Sequence, residues 1–403
     1  MEQGIGRRRV WIVVLAFAAI MLNYVDRQMI ALLKPTLQAE FGWSDRDYSH
    51  MASAFQFAAA VAFLGTGWFI DRVGLRRGFA LGIGVWSLAG MAHAFVTTVT
   101  GFVAARAVLG AAESVGTPAQ VKTAATYFPP AQRSIMIGVG NMAPNLGAVL
   151  TPLAVPPLAL WLGWHAAFLI AGGLGLVWVA AWLLVSPRTE AAAAPAEGVR
   201  VLWAGLLRER RQWALVAAKT FSDEVWWFLL FFAPDLFHRM FGLSQGTLGL
   251  PVAFIYACAA VGALSGGILP SRLIARGWSV DRARKASMLL YALLIVPVPL
   301  LVFASSAWVA AGLLGLALFA HQGFSTNVFG MAADLFPARM VGTALGIAAF
   351  AGNVSGMVMI EAAGWSLDAG AGFAPLLWVC GLSYLVALGL VQLLVPRIVA
   401  VSG

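Results

Sequence analysis

Charge is what this sequence has least of. Only 11% of its 403 residues are Asp, Glu, Lys or Arg, while 61% are hydrophobic, against roughly a quarter charged in an ordinary soluble domain. Water is therefore not its main solvent. Cysteine is nearly absent: Cys258 and Cys380 each lie in an apolar stretch without metal-ligand neighbours, so they read as small core residues and imply no redox chemistry. The sequence also lacks a Gly-x-x-x-x-Gly-Lys-Ser/Thr loop, a His-Glu-x-x-His pair and a nucleophile elbow. Neither ATP-driven transport nor a familiar enzyme chemistry is supported, and no cofactor is expected.

Long apolar runs take the place of charge. A bilayer-spanning helix needs ~20 mostly apolar residues, and such runs recur, as at 79–99 and 164–185. Hydropathy and helix breakers predict spans near 10–38, 47–71, 77–97, 99–127, 132–162, 164–186, 212–239, 245–271, 282–304, 307–335, 339–367 and 371–396. Six precede and six follow one long connection, 187–211, made of an Ala/Pro/Glu stretch (189–198) and a basic amphipathic piece (199–212). The expectation is an all-α membrane protein with twelve transmembrane helices in two pseudo-symmetric six-helix bundles, 1–186 and 212–403. The basic start Arg7-Arg8-Arg9 and the run after it resemble a signal peptide. Asn23, Asp26 and Arg27 interrupt that run where small residues would precede cleavage, so it reads as a retained first span.

The net charge of +9 could suggest a nucleic-acid partner. Its distribution says otherwise. Of the Lys and Arg residues, only Arg46 and Arg239 fall in loops opposite the N-terminus; Arg27, Lys34, Arg106, Lys122 and Lys219 lie inside spans, and the others share the N-terminal side. That is the positive-inside bias of a plasma (inner) membrane protein with both termini cytoplasmic, bound to lipid and not to nucleic acid.

The halves repeat one another. At an offset of 200, Gly67-x-x-x-Asp71-Arg72 matches Gly267-x-x-x-Ser271-Arg272; at 208, Phe128-Pro129 matches Phe336-Pro337, Gly138 matches Gly346 and Asn145 matches Asn353. Transporters are built from such repeats. The same offset sets Glu113 of the fourth span opposite His321 of the tenth.

The segment Gly67-x-x-x-Asp71-Arg72-x-Gly74-x-Arg76-Arg77 resembles the loop 2–3 signature of the major facilitator superfamily at nearly every position. Gly67 would allow close helix packing and Gly74 a tight turn, and the charges would lock neighbouring helix ends or merely hold topology. Either role is conformational.

Ionisable groups at mid-membrane depth must be paired or face an aqueous cavity. Asn23, Arg27 and Lys34, at i, i+4 and i+11, give one face of the first span a positive stripe suited to an anion. Arg27 is the candidate for a substrate carboxylate; Lys34 either assists it or snorkels to the membrane edge. Asp26 either neutralises Arg27 or carries a proton. In the fourth span Arg106 and Glu113 are separated by roughly 10 Å of helix rise, so each needs a partner on another helix. Glu113 is either a proton-coupling carboxylate or half of a permanent ion pair with Arg27, Arg106 or Lys122. In the seventh span Lys219 and Asp223 stand at i, i+4, either as an internal ion pair or as part of a site, and Trp227 is either an interfacial belt residue or an indole offered to a sugar ring. His321, Gln322 and Asn327 of the tenth span, with Gln56, Asn141, Asn145 and Asn353, supply donors and acceptors for hydroxyls or, alternatively, interhelical glue.

Five stretches, Asn23-Tyr24-Val25-Asp26-Arg27-Gln28, Leu33-Lys34-Pro35 to Ser44, Arg106 to Lys122, Asp223-x-x-Trp226-Trp227-Phe228 and Arg276 to Val280, carry a further likeness, with His321 to Asn327 and Asp334 to Pro337 adding to it. The chain resembles the anion:cation symporter family of the major facilitator superfamily, most of all its bacterial hexuronate transporters. The resemblance implies proton-coupled uptake of a sugar acid such as glucuronate or galacturonate by alternating access, with Asp26 and Glu113 as coupling carboxylates and Arg27 on the substrate carboxylate. It also implies that one chain forms a complete pathway. Two features depart from the family: Phe57-Ala58-Ala59-Ala60 follows Phe55-Gln56 where relatives carry a tyrosine, and Glu361 is unexpected. Carriage of another organic anion (aldonate, aldarate or monocarboxylate) stays open, as does a membrane sensor or enzyme.

Overall fold

A computed structural model describes residues 2–128, 130–187 and 205–398, with some helix residues, Asn141 among them, described by backbone alone. The Ala/Pro/Glu part of the connection, 189–198, lies outside the described residues. Every regular element among the described residues is helical. The helices are α1 (Glu2–Phe41), α2 (Asp45–Val73), α3 (Leu75–Ala92), α4 (Val99–Glu113), α5 (Gly116–Tyr127), α6 (Pro130–Leu162) and α7 (Trp164–Val185), then α8 (Arg210–Phe241), α9 (Gln245–Ala275), α10 (Val280–Ile295), α11 (Ala307–Leu335), α12 (Ala338–Asp368) and α13 (Ala374–Leu394). Contacts divide the chain into two units, α1–α7 with Leu243–Ala253, and α8 with α10–α13 and the remainder of α9.

Among the described residues, eleven helical stretches are long and apolar enough to cross a membrane. Helices alone satisfy every backbone group inside hydrocarbon, which is why this composition folds so. The twelfth crossing is α8, which exceeds the usual charge of a span because it carries Lys219, Asp223, Glu224 and Asp235. Its charges are tolerated through internal pairing: Lys219 Nζ lies 2.8 Å from Asp223 Oδ1 and Arg239 Nε 2.9 Å from Asp235 Oδ2, both at i, i+4.

Three predicted spans are broken: the third ends its α-helix at Ala92 and finishes as a short 3-10 helix, His93–Phe95. The fourth divides at Ser114–Val115 into α4 and α5, and the ninth ends its α-helix at Ile295 and finishes as a 3-10 helix, Val298–Phe303. Pro297 and Pro299 explain the latter, since each removes a helix donor. Between α2 and α3 the chain reverses at Gly74, whose φ of 87° suits glycine, as the motif predicts. The packing expected at Gly67 is not there: a Cβ added to it meets nothing within 4 Å. The close approach is at Gly110, where a Cβ would overlap the backbone carbonyl of Phe55, so α4 lies directly on α2. Gly262 of α9 meets the carbonyl of Phe319 of α11 in the same way.

Candidate functional site

The buried charges of the first unit converge on α1, α2 and α4. Arg27 Nε donates to Glu113 Oε2 at 2.8 Å, across a helix interface and 86 residues of sequence. Both side chains are buried, and Glu113 Oε1 has no hydrogen-bond partner among the described residues. Asn23 Nδ2 reaches the Glu113 carbonyl at 3.4 Å. The Arg27 guanidinium lies over the rings of Tyr24 and Phe55 at 5.4 and 5.3 Å, and Arg106, fully buried, lies over Phe55 at 4.5 Å. Phe55 is thus a shared aromatic floor for two cations, placed there by the glycine contact at Gly110. Arg106 Nη1 also donates to the backbone carbonyl of Asp26 at 3.3 Å. The Asp26 carboxylate turns toward Gly90 of α3 and forms no ion pair within 4.0 Å among the described residues. As expected, Arg106 and Glu113 each take partners from other helices.

Lys34 is drawn out of the positive stripe. It is fully buried, pairs with Asp45 at 2.9 Å and lies over the Tyr48 ring at 4.7 Å, so its charge is held by a carboxylate at the start of α2. Asp45 also accepts from Gln38 Nε2, and stands in the first turn of α2, where a negative charge suits the helix dipole.

The second unit holds its own polar cluster. His321 stacks on Trp226 at 4.8 Å, and its Nδ1 is 2.6 Å from the Tyr384 hydroxyl, which lies 3.1 Å from the Ser222 carbonyl. The tyrosine has one proton and two neighbours for it, the Ser222 carbonyl and His321 Nδ1, so which ring nitrogen carries hydrogen follows from which of the two it serves. Glu113 and His321, paired by the repeat, therefore both bond toward the first helix of their unit, one directly and one through Tyr384. Trp227 packs against Gly356 of α12. Asn327 is interhelical glue: its Nδ2 donates to the carbonyls of Gly266 and Gly323. Asn353 bonds Ala349 of its own helix, Gln322 and Asn145 are half-buried, and Gln56 is buried beside Phe55. The side chain of Asn141 lies outside the described residues. The expected hydroxyl readers are divided between the units: Gln56, Asn141 and Asn145 in the first, Trp227, His321, Gln322, Asn327 and Asn353 in the second.

The loop motif is anchored by residues on both sides of it. Asp71 pairs with Lys122 of α5, and Arg72 lies over Trp68. Arg76 donates to the carbonyls of Leu183 and Ser186, where the C-terminal end of α7 leaves acceptors open; Arg8 bonds Val185 beside it. The repeat changes the pairing in the second unit. Gly330 stands where Lys122 would be matched at an offset of 208, and a Cβ there would overlap the Arg284 guanidinium, which instead pairs with Asp334 at 2.8 Å. Lys285 caps the end of α13 through Val395 and Pro396, as Arg76 caps α7.

A twelve-helix chain with this loop motif and buried charge on the first and fourth spans has known relatives. The family model of the Major Facilitator Superfamily matches residues 16–360. The chain belongs to that superfamily. It is 28% identical over 399 residues to a D-galactonate transporter of Escherichia coli O6:H1, covering 92% of each chain, and 26% identical to the hexuronate transporter of Escherichia coli K12, covering 91% of this chain and 89% of that one. A galacturonate transporter of Dickeya chrysanthemi is 26% identical over 62% of this chain and 77% of its own length. Among solved structures, a D-xylose–proton symporter superposes with a TM-score of 0.76 at 15% identity, covering 96% of this chain and 98% of that one. A bacterial homologue of the human lysosomal transporter Spinster gives 0.75 at 17%, covering 97% and 95%. These structures bear on the fold alone.

Phe55 and Tyr384 escaped the sequence reading, and Trp226 was marked there only as part of a tryptophan pair, not as the partner of His321. Phe55 adjoins Gln56 in a noted pair, which is a weak signal; nothing in the sequence marks Tyr384, whose role arises only where α13 meets α8 and α11.

Proposed function

We propose that this chain is a proton-coupled sugar-acid carrier of the bacterial inner membrane, with both termini cytoplasmic, and that its substrate is a hexuronate such as glucuronate or galacturonate. The reading is supported above all by the half-satisfied Arg27–Glu113 pair. A guanidinium binds a carboxylate best through two parallel hydrogen bonds. Glu113 engages Arg27 through one oxygen, so a substrate carboxylate competes with Glu113 for the same cation. A proton taken on Glu113 removes the competing charge and frees Arg27; loss of that proton expels the substrate. Binding of anion and proton then favour one another, which is symport. Asp26, without an ion pair among the described residues, is the second candidate to carry a proton.

The relatives named above, which carry hexuronate, galacturonate and galactonate, support a polyhydroxylated acid. Because a galactonate transporter matches as well as the hexuronate one, an aldonate is the second reading. Neither a membrane enzyme nor a sensor draws support from a transporter family.

The test is uptake of labelled glucuronate, galacturonate and galactonate into proteoliposomes, with and without an inward proton gradient, for wild type, Arg27→Ala and Glu113→Gln. The proposal expects gradient-driven uptake in wild type, none in Arg27→Ala, and exchange without accumulation in Glu113→Gln. Uptake of galactonate alone moves the assignment to aldonates; uptake of none by folded protein overturns the substrate class.

A further inference from the structure

Glu224 stands outside the mechanism above. It follows Asp223 on α8 in the middle of a membrane-crossing helix, yet the Lys219 pair goes to Asp223, and among the described residues no Lys, Arg or His nitrogen forms an ion pair with Glu224 within 4.0 Å. Its neighbour is Ser383 of α13, whose Oγ is 2.6 Å from Glu224 Oε1. The same Oγ is 2.8 Å from the carbonyl of Val379, one turn back on its own helix.

Counting protons across these two contacts leaves a deficit. A carbonyl oxygen only accepts and a serine hydroxyl has one hydrogen to give. With the hydroxyl directed at Val379, an ionised Glu224 would set two lone pairs against each other at 2.6 Å; with it directed at Glu224, the same conflict arises at Val379. A proton on the Glu224 carboxyl fills both contacts in sequence, Glu224 O–H to Ser383 Oγ and Ser383 O–H to Val379 O. Glu224 is half-buried and no cation pairs with it among the described residues; an unpaired ion at membrane depth costs several kcal/mol unless water reaches it, so charge favours the protonated form wherever the cavity is dry. Asp223 on the same helix and Tyr384 and Cys380 on α13 are titratable groups beside it, and Lys219, one turn back on α8, is held by Asp223.

We propose that Glu224 is a proton-binding site of the second unit, protonated in this state, donating its proton to Ser383 and able to release it. The first unit's pair at Arg27 and Glu113 takes no part, so this inference stands or falls independently of the function proposed above. Infrared spectra of the purified full-length protein in lipid, wild type against Glu224→Gln, test it. Glutamine has the shape of the protonated acid and donates to Ser383 in its place, so the fold should persist. The expected result is a protonated-carboxyl C=O band at neutral pH in wild type, absent from Glu224→Gln and converted to carboxylate absorption as the pH is raised. In Ser383→Ala the band should persist and shift as its acceptor is lost. A wild-type spectrum identical to that of Glu224→Gln in the carboxylic-acid region, or a band that never titrates, overturns the proposal. A shift absent from Ser383→Ala overturns the assigned hydrogen bond.

Discussion

Arg27 Nε donates to Glu113 Oε2 at 2.8 Å, and the second oxygen of Glu113 is left without a partner among the described residues. A buried pair broken by truncation of one partner typically loses about 3–5 kcal/mol, because the surviving charge is stranded. Arg27→Ala should therefore lower thermal stability markedly as well as abolish substrate binding. Glu113→Gln should bind substrate with little pH dependence, whereas wild-type binding should strengthen as the pH falls and Glu113 takes its proton. Binding isotherms across a pH series, followed with melting curves, check both; equal pH dependence in the two proteins would remove Glu113 from coupling.

Lys34 gives the opposite expectation. With its charge spent on Asp45 and its side chain wholly buried, Lys34→Met should destabilise by roughly 3–5 kcal/mol. The double variant Lys34→Met/Asp45→Asn should recover much of that loss and keep substrate affinity. A severalfold affinity loss in the stable double variant would return Lys34 to the substrate site.

The Asp71–Lys122 pair is half exposed on the Asp71 side, where surface ion pairs contribute only about 0–1 kcal/mol. Asp71→Asn should leave the melting temperature almost unchanged and lower the transport rate severalfold with little change in binding. The charge exchange Asp71→Lys/Lys122→Asp should restore part of the rate. A large fall in stability with normal turnover would make the pair structural.

At Gly110 and Gly262 an added methyl would run into a backbone carbonyl, which cannot swing aside as a side chain can. Overpacking of a well-packed interface costs typically about 1–3 kcal/mol. Gly110→Ala should exceed the effect of Gly67→Ala, where the space is open, and should disturb transport through Phe55 and the two cations above it. Melting curves of the two variants decide this.

Much of the architecture was legible because its causes are local. Hydropathy marked the spans, the i, i+4 spacing of Lys219 and Asp223 put their pair within reach, and the positive φ of Gly74 follows from its place in a turn motif. The breaks after Ile295 and at Ser114–Val115 were harder to read: the prolines at 297 and 299 were visible, but nothing so plain marks 114–115.

By itself the sequence determined the class of the protein, because twelve apolar stretches in water have one remedy, burial as helices in a bilayer, and it placed Asp26, Arg27, Arg106 and Glu113 at depths where each needs a partner. Only the tertiary structure decided who those partners are. Arg27 chose Glu113, Lys34 chose Asp45, Lys122 chose Asp71, and Glu224 was left with a serine. The physical reason is range: helical periodicity fixes which face a residue occupies over a few turns, whereas ion pairs spanning from 11 to 86 residues depend on which faces the packed helices bring together.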